Sequence, residues 1–238
     1  MNIALIGYGK MGHEIETIAK ERGHSIALII DQDNGHELNA KNLKNVDVAI
    51  EFSTPEAAFS NIKTCLIAGK PIVCGTTGWL SHLDEAKQLA EHSDGALFYA
   101  SNYSIGVNLF FGLNKILAKY INTVKGYTYE IEEVHHTQKK DAPSGTAITL
   151  ADIISNEIEG LTGWSLTPEE EVHKIPITAL RQANVPGTHT VNLSSENDMI
   201  TLKHEAKNRK GFALGAVLAA EFSVGKKGFL TMDSLLKI

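Results

Sequence analysis

One short segment of the chain gathers side chains that donate protons or bind anions. Residues 133–147 read EVHHTQKKDAPSGTA, with two adjacent histidines, two adjacent lysines and a Pro-Ser-Gly turn. Histidine titrates close to neutral pH and lysine carries a positive charge, so the combination suits proton transfer to an anionic substrate. The segment is therefore the first candidate for an active site.

The two histidines end a stretch, YTYEIEEVHH, whose alternating pattern predicts a half-buried strand. Because neighbouring residues of a strand point to opposite faces, His135 and His136 are not expected to aim at the same atom. Lys139, Lys140 and Asp141 follow in a loop. Of the two lysines we expect Lys139 to act and Lys140 to be its solvated neighbour.

Adjacent histidines can also bind a metal, and His189 and His204 lie in later segments with a strand-like pattern. No HExxH or CxxC spacing accompanies them. We therefore predict no metal site.

A helix is predicted from Ser144 to Ile158, directly after the loop. Ser144 suits the N-cap position, and Gly145 and Thr146 fall in the first turn. Backbone N–H groups and the partial positive charge of a helix N-terminus bind carboxylates without a charged side chain. With a lysine and a histidine beside it, this turn is expected to hold an anionic substrate.

A second motif lies at the N-terminus of the chain, where a short apolar strand ends in a GxGxxG turn that opens a helix. The turn consists of Gly7, Tyr8, Gly9, Lys10, Met11 and Gly12. Such a turn brings backbone amides close to the pyrophosphate of a dinucleotide. We therefore predict a dinucleotide site here.

Asp31 ends the second predicted strand, where a carboxylate accepts hydrogen bonds from the adenosine ribose. A 2′-phosphate would be repelled by this carboxylate, and the neighbours Gln32 and Asp33 offer no positive charge. NADH is therefore the favoured cofactor, while Lys10, the one nearby cation, leaves use of NADPH open.

Two further loops follow parallel strands at their carboxyl ends, where ligands bind in such sheets. Ser53 and Thr54 lie in the first loop, and Gly75, Thr76 and Thr77 lie in the second. These residues are candidate cofactor contacts, although small hydroxyl residues in such loops also serve as ordinary helix caps.

The elements that must position these residues fall into two regions. Residues 1–103 alternate apolar strands with helices, which predicts a Rossmann-like parallel sheet covered on both faces. Residues 104–210 combine helices with alternating strands, which predicts an α+β domain with an open mixed or antiparallel sheet. Residues 211–238 are expected to return to the first domain.

The bulk properties fit an enzyme of small molecules. The 238 residues carry a net charge of −6 and are 43% hydrophobic, which indicates large cores and gives no hint of nucleic-acid binding. No apolar run is long enough for a membrane span, and the N-terminus resembles a strand rather than a signal peptide. Cys65 and Cys74 lie in apolar surroundings, as expected for buried free thiols of a cytoplasmic protein.

The segment EVHHTQKKDAPSGTA resembles the signature of the 4-hydroxy-tetrahydrodipicolinate reductase family, formerly called dihydrodipicolinate reductases. The resemblance extends to GYGKMG, to the STPE and GTTG loops, to SNYSIGVN and to VPGTHTVNL, and so spans nearly the whole chain. It implies NAD(P)H-dependent reduction of a small cyclic dicarboxylate in the diaminopimelate route to lysine. It also implies a homotetramer joined through the sheet of the second domain.

The resemblance further implies a role for individual residues. His135 corresponds to the proposed general acid, Lys139 to a proton donor and substrate contact, and His136 to a substrate ligand. The amides of Gly145 and Thr146 would hold a substrate carboxylate. The contacts on the nicotinamide side would come from Gly75, Thr76, Thr77, Ser101, Asn102 and Tyr103.

Two alternatives differ from this interpretation in what they need from the sequence. Another NAD(P)-dependent dehydrogenase of the same build would lack the histidine-lysine-glycine segment. A non-catalytic NAD(H)-binding redox sensor would keep GYGKMG and Asp31 but would have no use for His135 and Lys139.

Overall fold

The computed structural model describes residues 1–169, 171–208 and 210–237. Its strands are β1 (Asn2–Ile6), β2 (Ser25–Ile30), β3 (Val48–Glu51), β4 (Ile72–Cys74), β5 (Ala96–Tyr99), β6 (Thr128–His135), β7 (Trp164–Leu166), β8 (Ile175–Arg181), β9 (Thr188–Ser194), β10 (Met199–Glu205) and β11 (Gly228–Leu230). Its α-helices are α1 (Lys10–Glu21), α2 (Pro55–Ile67), α3 (Leu83–His92), α4 (Ile105–Ile121), α5 (Gly145–Glu157), α6 (Lys210–Ser223) and α7 (Met232–Leu236). Short 3-10 turns cover Gln32–Glu37, Asn42–Asn45 and Leu80–His82.

The chain forms two compact units, one of residues 1–105 with the segment from 210 onward, and one of residues 106–208. The first unit is built on a six-stranded sheet in the order β11-β5-β4-β3-β1-β2, and every pairing in it is parallel. The predicted Rossmann-like architecture is therefore confirmed.

Alternate residues of each central strand in this sheet enter two separate cores, as the period of two requires. Ile3, Leu5 and Ile50 pack on one face against α1 and α6. Ala4 and Ile6 pack on the other face against α2 and α3. Burial on both faces explains why these strands are apolar throughout.

The sixth strand was not predicted, because β11 has only three residues and follows the polar run GKKG. It pairs with β5 at the edge of the sheet. Helix α6 precedes it and contributes Ala213, Ala216 and Val217 to the first of the two cores.

The second unit is built on a five-stranded sheet in the order β10-β9-β6-β8-β7. The pairings β10–β9 and β9–β6 are antiparallel, whereas β6–β8 and β8–β7 are parallel, so the predicted mixed sheet is confirmed. One face buries Ile131, Ile177 and Val191 against helix α5, whose Leu150 and Ile154 are fully covered. The strand β7 is again a three-residue element that the sequence pattern did not predict.

None of the helices in the described part of the chain is long and apolar enough to cross a membrane. Cys65 and Cys74 are both buried and unpaired, as expected.

Candidate active site

The GxGxxG turn of the first unit has the geometry that its glycines predict. Gly7 adopts a φ of +89°, and a Cβ there would collide with the backbone carbonyl of Phe52. A Cβ on Gly12 would lie 2.5 Å from the carbonyl oxygen of Gly7, so Gly12 allows α1 to start close to the strand. Both outer glycines are therefore required by the fold itself.

The middle glycine is different, because a Cβ on Gly9 would meet nothing within 4 Å. Gly9 is exposed and forms the N-cap of α1 without any side-chain cap. An uncapped helix start beside open space fits the phosphates of a dinucleotide. Lys10 is exposed in the first turn of α1, where a positive charge can approach the same anion.

The two side chains of the turn that remain, Tyr8 and Met11, are directed into the unit. The hydroxyl of Tyr8 donates a hydrogen bond to Glu16 on α1. Met11 packs against the core formed by α1 and α6. These two side chains stabilise the turn, and the exposed residues of the motif are Gly9 and Lys10.

Asp31 lies just beyond β2, as the nucleotide motif requires, and is exposed. Its carboxylate accepts a hydrogen bond of 3.0 Å from the backbone N–H of Gln32, while the side-chain oxygen of Asn34 accepts one of 2.7 Å from the N–H of Asp31. The 3-10 turn thus fixes the orientation of this carboxylate.

The two loops after β3 and β4 are joined by a hydrogen bond. The backbone N–H of Ser53 donates to Oγ1 of Thr76 at 2.9 Å, and Thr76 is buried as a consequence. Thr54 is the exposed N-cap of α2, and Thr77 is exposed in its loop. Gly75 lacks the Cβ that would collide with the ring of Phe52.

A buried carboxylate, Glu51, supports both loops and was not predicted as a site residue. It ends β3, is completely buried and hydrogen-bonds both the backbone N–H and the hydroxyl of Ser53. The thiol of Cys74 on β4 donates to its other oxygen at 3.1 Å. Burial, and secondly the negative charge of Glu51, raises the pKa of that thiol well above its ordinary value. The acid within the apolar run DVAIEFS was the available signal.

The segment after β5 contains the last three predicted cofactor residues. Ser101 is exposed, and the side-chain oxygen of Asn102 accepts a hydrogen bond of 2.9 Å from the N–H of Ser104. Tyr103 is buried in the core, and its hydroxyl donates to the carbonyl oxygen of Cys74 at 2.8 Å. The side chain of Tyr103 therefore has a packing role, which leaves its backbone for any ligand contact.

In the second unit, His135 ends strand β6 and is buried. Glu133 lies two residues earlier, on the same face of the strand, and is completely buried. Its Oε2 lies 2.9 Å from Nδ1 of His135. The sequence prediction singled out the histidine but missed the carboxylate that it contacts.

The other oxygen of Glu133, Oε1, accepts a hydrogen bond of 3.1 Å from the backbone N–H of Ser144 and lies 3.3 Å from the guanidinium of Arg181. Burial by itself raises the pKa of this carboxyl, but the hydrogen bonds from His135 and Ser144 outweigh burial and hold the pKa at about 2. Glu133 is thus ionised at neutral pH.

His189 on β9 stands directly opposite Glu133 in the register of the sheet. Its Nε2 lies 3.0 Å from the hydroxyl of Ser144 and 3.8 Å from Oε2 of Glu133. Burial, followed by the positive charge of His135, lowers the pKa of His189 to about 3. His189 is therefore a neutral hydrogen-bonding residue of the site.

Glu133, His135 and His189 place ligand-type atoms within 4.8 Å of one another, a spacing that also occurs in metal sites. Oε1 of Glu133 is engaged by Ser144 and Arg181, whereas Oε2 lies 2.9 Å from Nδ1 of His135 without the alignment of a hydrogen bond. That no metal binds in the second unit therefore stays a prediction.

The loop after β6 is held by Arg181, the last residue of β8. Its guanidinium donates to the carbonyl oxygens of Asp141 and Lys139, at 2.6 and 3.3 Å. The ammonium of Lys139 forms an ion pair of 2.7 Å with the carboxylate of Asp141, a contact that was not predicted. Lys140 is exposed.

Helix α5 begins as predicted, with Ser144 as its N-cap. The hydroxyl of Ser144 accepts a hydrogen bond of 3.3 Å from the N–H of Ala147, and Gly145 is exposed in the first turn, followed by Thr146. His136 follows directly after β6, is half-buried, and lines a cavity of about 200 Å³ in the second unit with Asn184, Val185, Pro186 and Asn208. That the first turn of α5 and His136 contact the substrate stays a prediction.

A parallel sheet with a GxGxxG turn, followed by a mixed sheet that carries a buried acid–histidine pair, defines a two-unit pyridine-nucleotide-dependent reductase. The chain belongs to the dihydrodipicolinate reductase family. The model of the family's N-terminal part matches residues 1–103, and the model of its C-terminal part matches residues 106–236.

Relatives and a solved structure agree with this assignment. The chain is 51% identical to the 4-hydroxy-tetrahydrodipicolinate reductase of Christiangramia forsetii, over 99% of this chain and 98% of that protein. It is 35% identical to the enzyme of the same name from Thermosipho africanus, over 100% and 98% of the two chains. The dipicolinate-bound dihydrodipicolinate reductase of Paenisporosarcina sp. TG-14 superposes with a TM-score of 0.81 at 25% identity, covering 97% of each chain. These relatives are reductases, so they support an enzyme rather than a redox sensor.

Proposed function

We propose that the chain reduces 4-hydroxy-tetrahydrodipicolinate to tetrahydrodipicolinate, with NADH favoured over NADPH, in the diaminopimelate route to lysine. The single observation that carries the proposal is the buried pair of Glu133 and His135 beside the capped start of α5. The pair supplies a proton donor, and the helix start supplies a carboxylate site. The names of the relatives support the choice of reaction.

The two regions of the sequence bind different ligands. Residues 1–103 with residues 211–238 form the dinucleotide-binding domain, and residues 104–210 form the domain for substrate binding and oligomerisation. The cofactor phosphates bind at Gly9 and Lys10, where the helix start is uncapped. The other cofactor contacts come from Gly7, Tyr8, Met11, Gly12, Asp31, Ser53, Thr54, Gly75, Thr76, Thr77, Ser101, Asn102 and Tyr103.

The substrate is a dicarboxylate, and the solved relative from Paenisporosarcina binds dipicolinate. One carboxylate binds at the first turn of α5, to Gly145 and Thr146, where the helix dipole favours an anion. Lys139 exchanges its partner Asp141 for substrate charge, and His136 contacts the ring or the second carboxylate. A dicarboxylate thus matches the two kinds of anion contact in this segment.

When bound, the reduced nicotinamide supplies the hydride. After loss of water the substrate is a conjugated imine, so that hydride arrives at C4 and electron density develops at C3. His135 donates a proton to C3, and Lys139 neutralises the charge of the adjacent carboxylate. A positioned general acid of this kind contributes roughly 10²–10⁴-fold to the rate.

The preference for NADH rests on Asp31, whose carboxylate is held in place and would repel a 2′-phosphate. The test is to compare kcat/KM with NADH and with NADPH in the wild-type enzyme and in Asp31→Ala. We expect the wild type to have a higher kcat/KM with NADH than with NADPH. In Asp31→Ala the ratio of the two kcat/KM values should be smaller. A strong preference for NADPH in the wild type would contradict the assignment.

A homotetramer and a cytoplasmic location complete the proposal. The tetramer is supported by the family resemblance, and the location by the two buried free thiols. Light scattering of the purified enzyme at micromolar concentration measures the oligomer directly, and a mass of one or two chains would contradict the tetramer.

The experiment that tests the function is a titration with pyridine-2,6-dicarboxylate in the presence of NADH. A planar mimic of the substrate should bind to the enzyme and inhibit turnover, whereas a redox sensor should not bind it. His135→Gln and Lys139→Ala should each lower kcat strongly while leaving NADH binding nearly intact. Wild-type turnover by His135→Gln would refute the general-acid role.

A further inference from the structure

Glu133 contacts two separate parts of the candidate active site at once. We propose that Glu133 is a positioning residue that orients His135 as the proton donor and, through Ser144, holds the start of the helix that binds the substrate carboxylate. The inference rests on the role proposed above for His135. It assigns a separate function to a completely buried carboxylate that does not itself transfer a proton to the substrate.

The first step is the orientation of the imidazole. Oε2 of Glu133 lies 2.9 Å from Nδ1 of His135, and an ionised carboxylate accepts hydrogen bonds but cannot donate them. The ring N–H is not aligned for a hydrogen bond, but a bare Nδ1 would set its lone pair against that of the carboxylate oxygen at this distance. We therefore infer that Nδ1 carries a proton in the neutral ring as well as in the charged ring. The proton that leaves during the reaction is consequently the one on Nε2, which lies on the side of the ring that faces Gly187.

Glu133 also places a negative charge beside the imidazole of His135. The pKa of Glu133 is about 2, so its carboxylate keeps a full negative charge 2.9 Å from Nδ1 of the ring. The other titratable or charged groups around the pair are Arg181 on β8, His189 on β9, His204 on β10, and Lys139 and Asp141 in the loop after β6.

Because these neighbours are neutral or already paired, Glu133 is the charged group that interacts directly with the ring of His135. His189 remains neutral because its pKa is about 3, so it does not repel the imidazolium. The charge of Lys139 is paired with Asp141 at 2.7 Å, and Arg181 donates to the far oxygen of Glu133. The contact at Nδ1 is thus the direct electrostatic interaction of His135 with a carboxylate.

Glu133 also contacts the start of helix α5. Oε1 of Glu133 accepts the N–H of Ser144, and the hydroxyl of Ser144 caps α5 while it contacts Nε2 of His189. Loss of the carboxylate would therefore disturb the proton donor and the carboxylate site together. The carboxylate site and the proton donor therefore both depend on the two buried oxygens of Glu133.

The proton balance is simple. As hydride arrives at C4 of the ring, the electron pair of the C=C bond forms a new C–H bond at C3 with the proton from Nε2 of His135. The N–H bond at Nε2 breaks and leaves a neutral imidazole, whose remaining proton on Nδ1 stays beside Oε2 of Glu133. Water then returns a proton to Nε2 for the next turnover.

The test is Glu133→Gln, which keeps the size of the side chain and removes the charge. We expect kcat to fall roughly 10²-fold. NADH binding, measured by fluorescence, should be unchanged. Glu132→Gln is the matched control, because Glu132 is the next residue of β6 and points to the opposite face.

A double variant separates positioning from a general loss of structure. If Glu133 acts on proton transfer through His135, the variant Glu133→Gln with His135→Gln should have a kcat no lower than that of His135→Gln alone, while the disturbed helix start raises the KM for the substrate. An additive loss of kcat would show that Glu133 acts independently of the histidine and would overturn this part of the proposal.

A measurement on the wild-type protein keeps the proposal testable even if Glu133→Gln does not fold. Nitrogen-15 NMR of the histidines, with His135 assigned from the spectrum of His135→Gln, should show a protonated Nδ1 throughout the titration. A bare Nδ1 in the neutral ring would overturn the proposal. Wild-type turnover by His135→Gln would instead refute the proposed function. A slow His135→Gln beside a Glu133→Gln of wild-type rate would refute only the role of Glu133.

Discussion

Gly187, just before β9, lies against the ring of His135, and a Cβ on Gly187 would stand 3.0 Å from Nε2 and 3.2 Å from Cδ2. A Cβ at these distances would push the ring away by a few tenths of an ångström, so glycine lets the imidazole keep its place beside Glu133. The glycine of the VPGTHTVNL stretch thus acts on the catalytic segment from a different strand.

Gly187→Ala is therefore expected to displace the ring of His135 by a few tenths of an ångström. Because misplacement of a catalytic group lowers the rate without affecting distant contacts, kcat should fall roughly tenfold or more, while the Kd for NADH should stay at the wild-type value. Steady-state kinetics and NADH fluorescence measure the two. Gly211→Ala, where a Cβ would meet nothing within 4 Å, is the control and should retain wild-type kcat. Equal kcat in the two variants would contradict the contact.

The GxGxxG turn allows a similar pair of variants that separates folding from binding. Gly9→Ala has space for its Cβ and a φ of −80° that alanine adopts, so the protein should fold normally. Its methyl group should obstruct the approach of the phosphates and weaken NADH binding at least about tenfold, the equivalent of one hydrogen bond to a charged group.

Gly12→Ala should behave in the opposite way, because its Cβ would lie 2.5 Å from the carbonyl oxygen of Gly7. We expect a clear fall in the melting temperature, which thermal unfolding without cofactor would measure. If Gly9→Ala bound NADH as tightly as the wild type, the phosphates would not lie at this turn.

His189 predicts a particular dependence of stability on pH. Its pKa is about 3 in the folded protein, whereas an exposed histidine titrates near 6.5. Between these values the unfolded chain binds more protons, so the free energy of unfolding falls as the pH is lowered from 6.5, by up to about 1.4 kcal/mol per pH unit.

His189→Gln removes this contribution and keeps a side-chain nitrogen for the hydroxyl of Ser144. The decline in stability between pH 6.5 and 4.5 should therefore be shallower than in the wild type, as measured by urea unfolding at several pH values. The window stays above the range in which protonation of Glu133 costs stability, from about 4.5 down to about 2. His36→Gln, at an exposed position, serves as the control. Parallel slopes for the wild type and His189→Gln would show that His189 is not neutral in the folded protein.

Glu51 should matter for stability as well as for the cofactor loops. Glu51→Ala leaves the hydroxyl of Ser53 and the thiol of Cys74 without their carboxylate acceptor, at a cost of about 1–3 kcal/mol for each unsatisfied group. Urea unfolding should show this loss, and NADH binding should weaken because Ser53 lies in the loop after β3. Glu91→Ala, at an exposed position on α3, should change neither quantity. A Glu51→Ala protein of wild-type stability would contradict the role of this carboxylate.

The sequence predicted the elements whose pattern is local. Apolar runs and glycine turns predicted β1 to β5, and the N-cap at Ser144 predicted the start of α5. The strands β7 and β11 were missed because three residues carry no periodicity, and they become strands through pairing with β8 and β5. Their existence is decided by tertiary contacts rather than by propensity.

The same limit applies to the candidate site. His135 and Lys139 were predicted from the types of residue in one segment, whereas Arg181 and His189 come to Glu133 of that segment only when β6 pairs with β8 and β9. The signal that was available is the acid at a position of β6 that faces inward. A carboxylate in a buried position needs partners, and the alternation of YTYEIEEVHH identifies that position once His135 is assigned to the same face.

The edge strand β11 and the helix α6 before it carry a consequence for synthesis of the protein on the ribosome. The first unit is assembled from both ends of the chain, so residues 1–105 emerge without Ala213, Ala216 and Val217, which cover one face of their sheet. That face stays exposed until about a hundred further residues have been translated. A nascent chain released early would present an apolar sheet surface to chaperones. The second unit differs, because it is continuous in the chain and all of its strands are translated before α6.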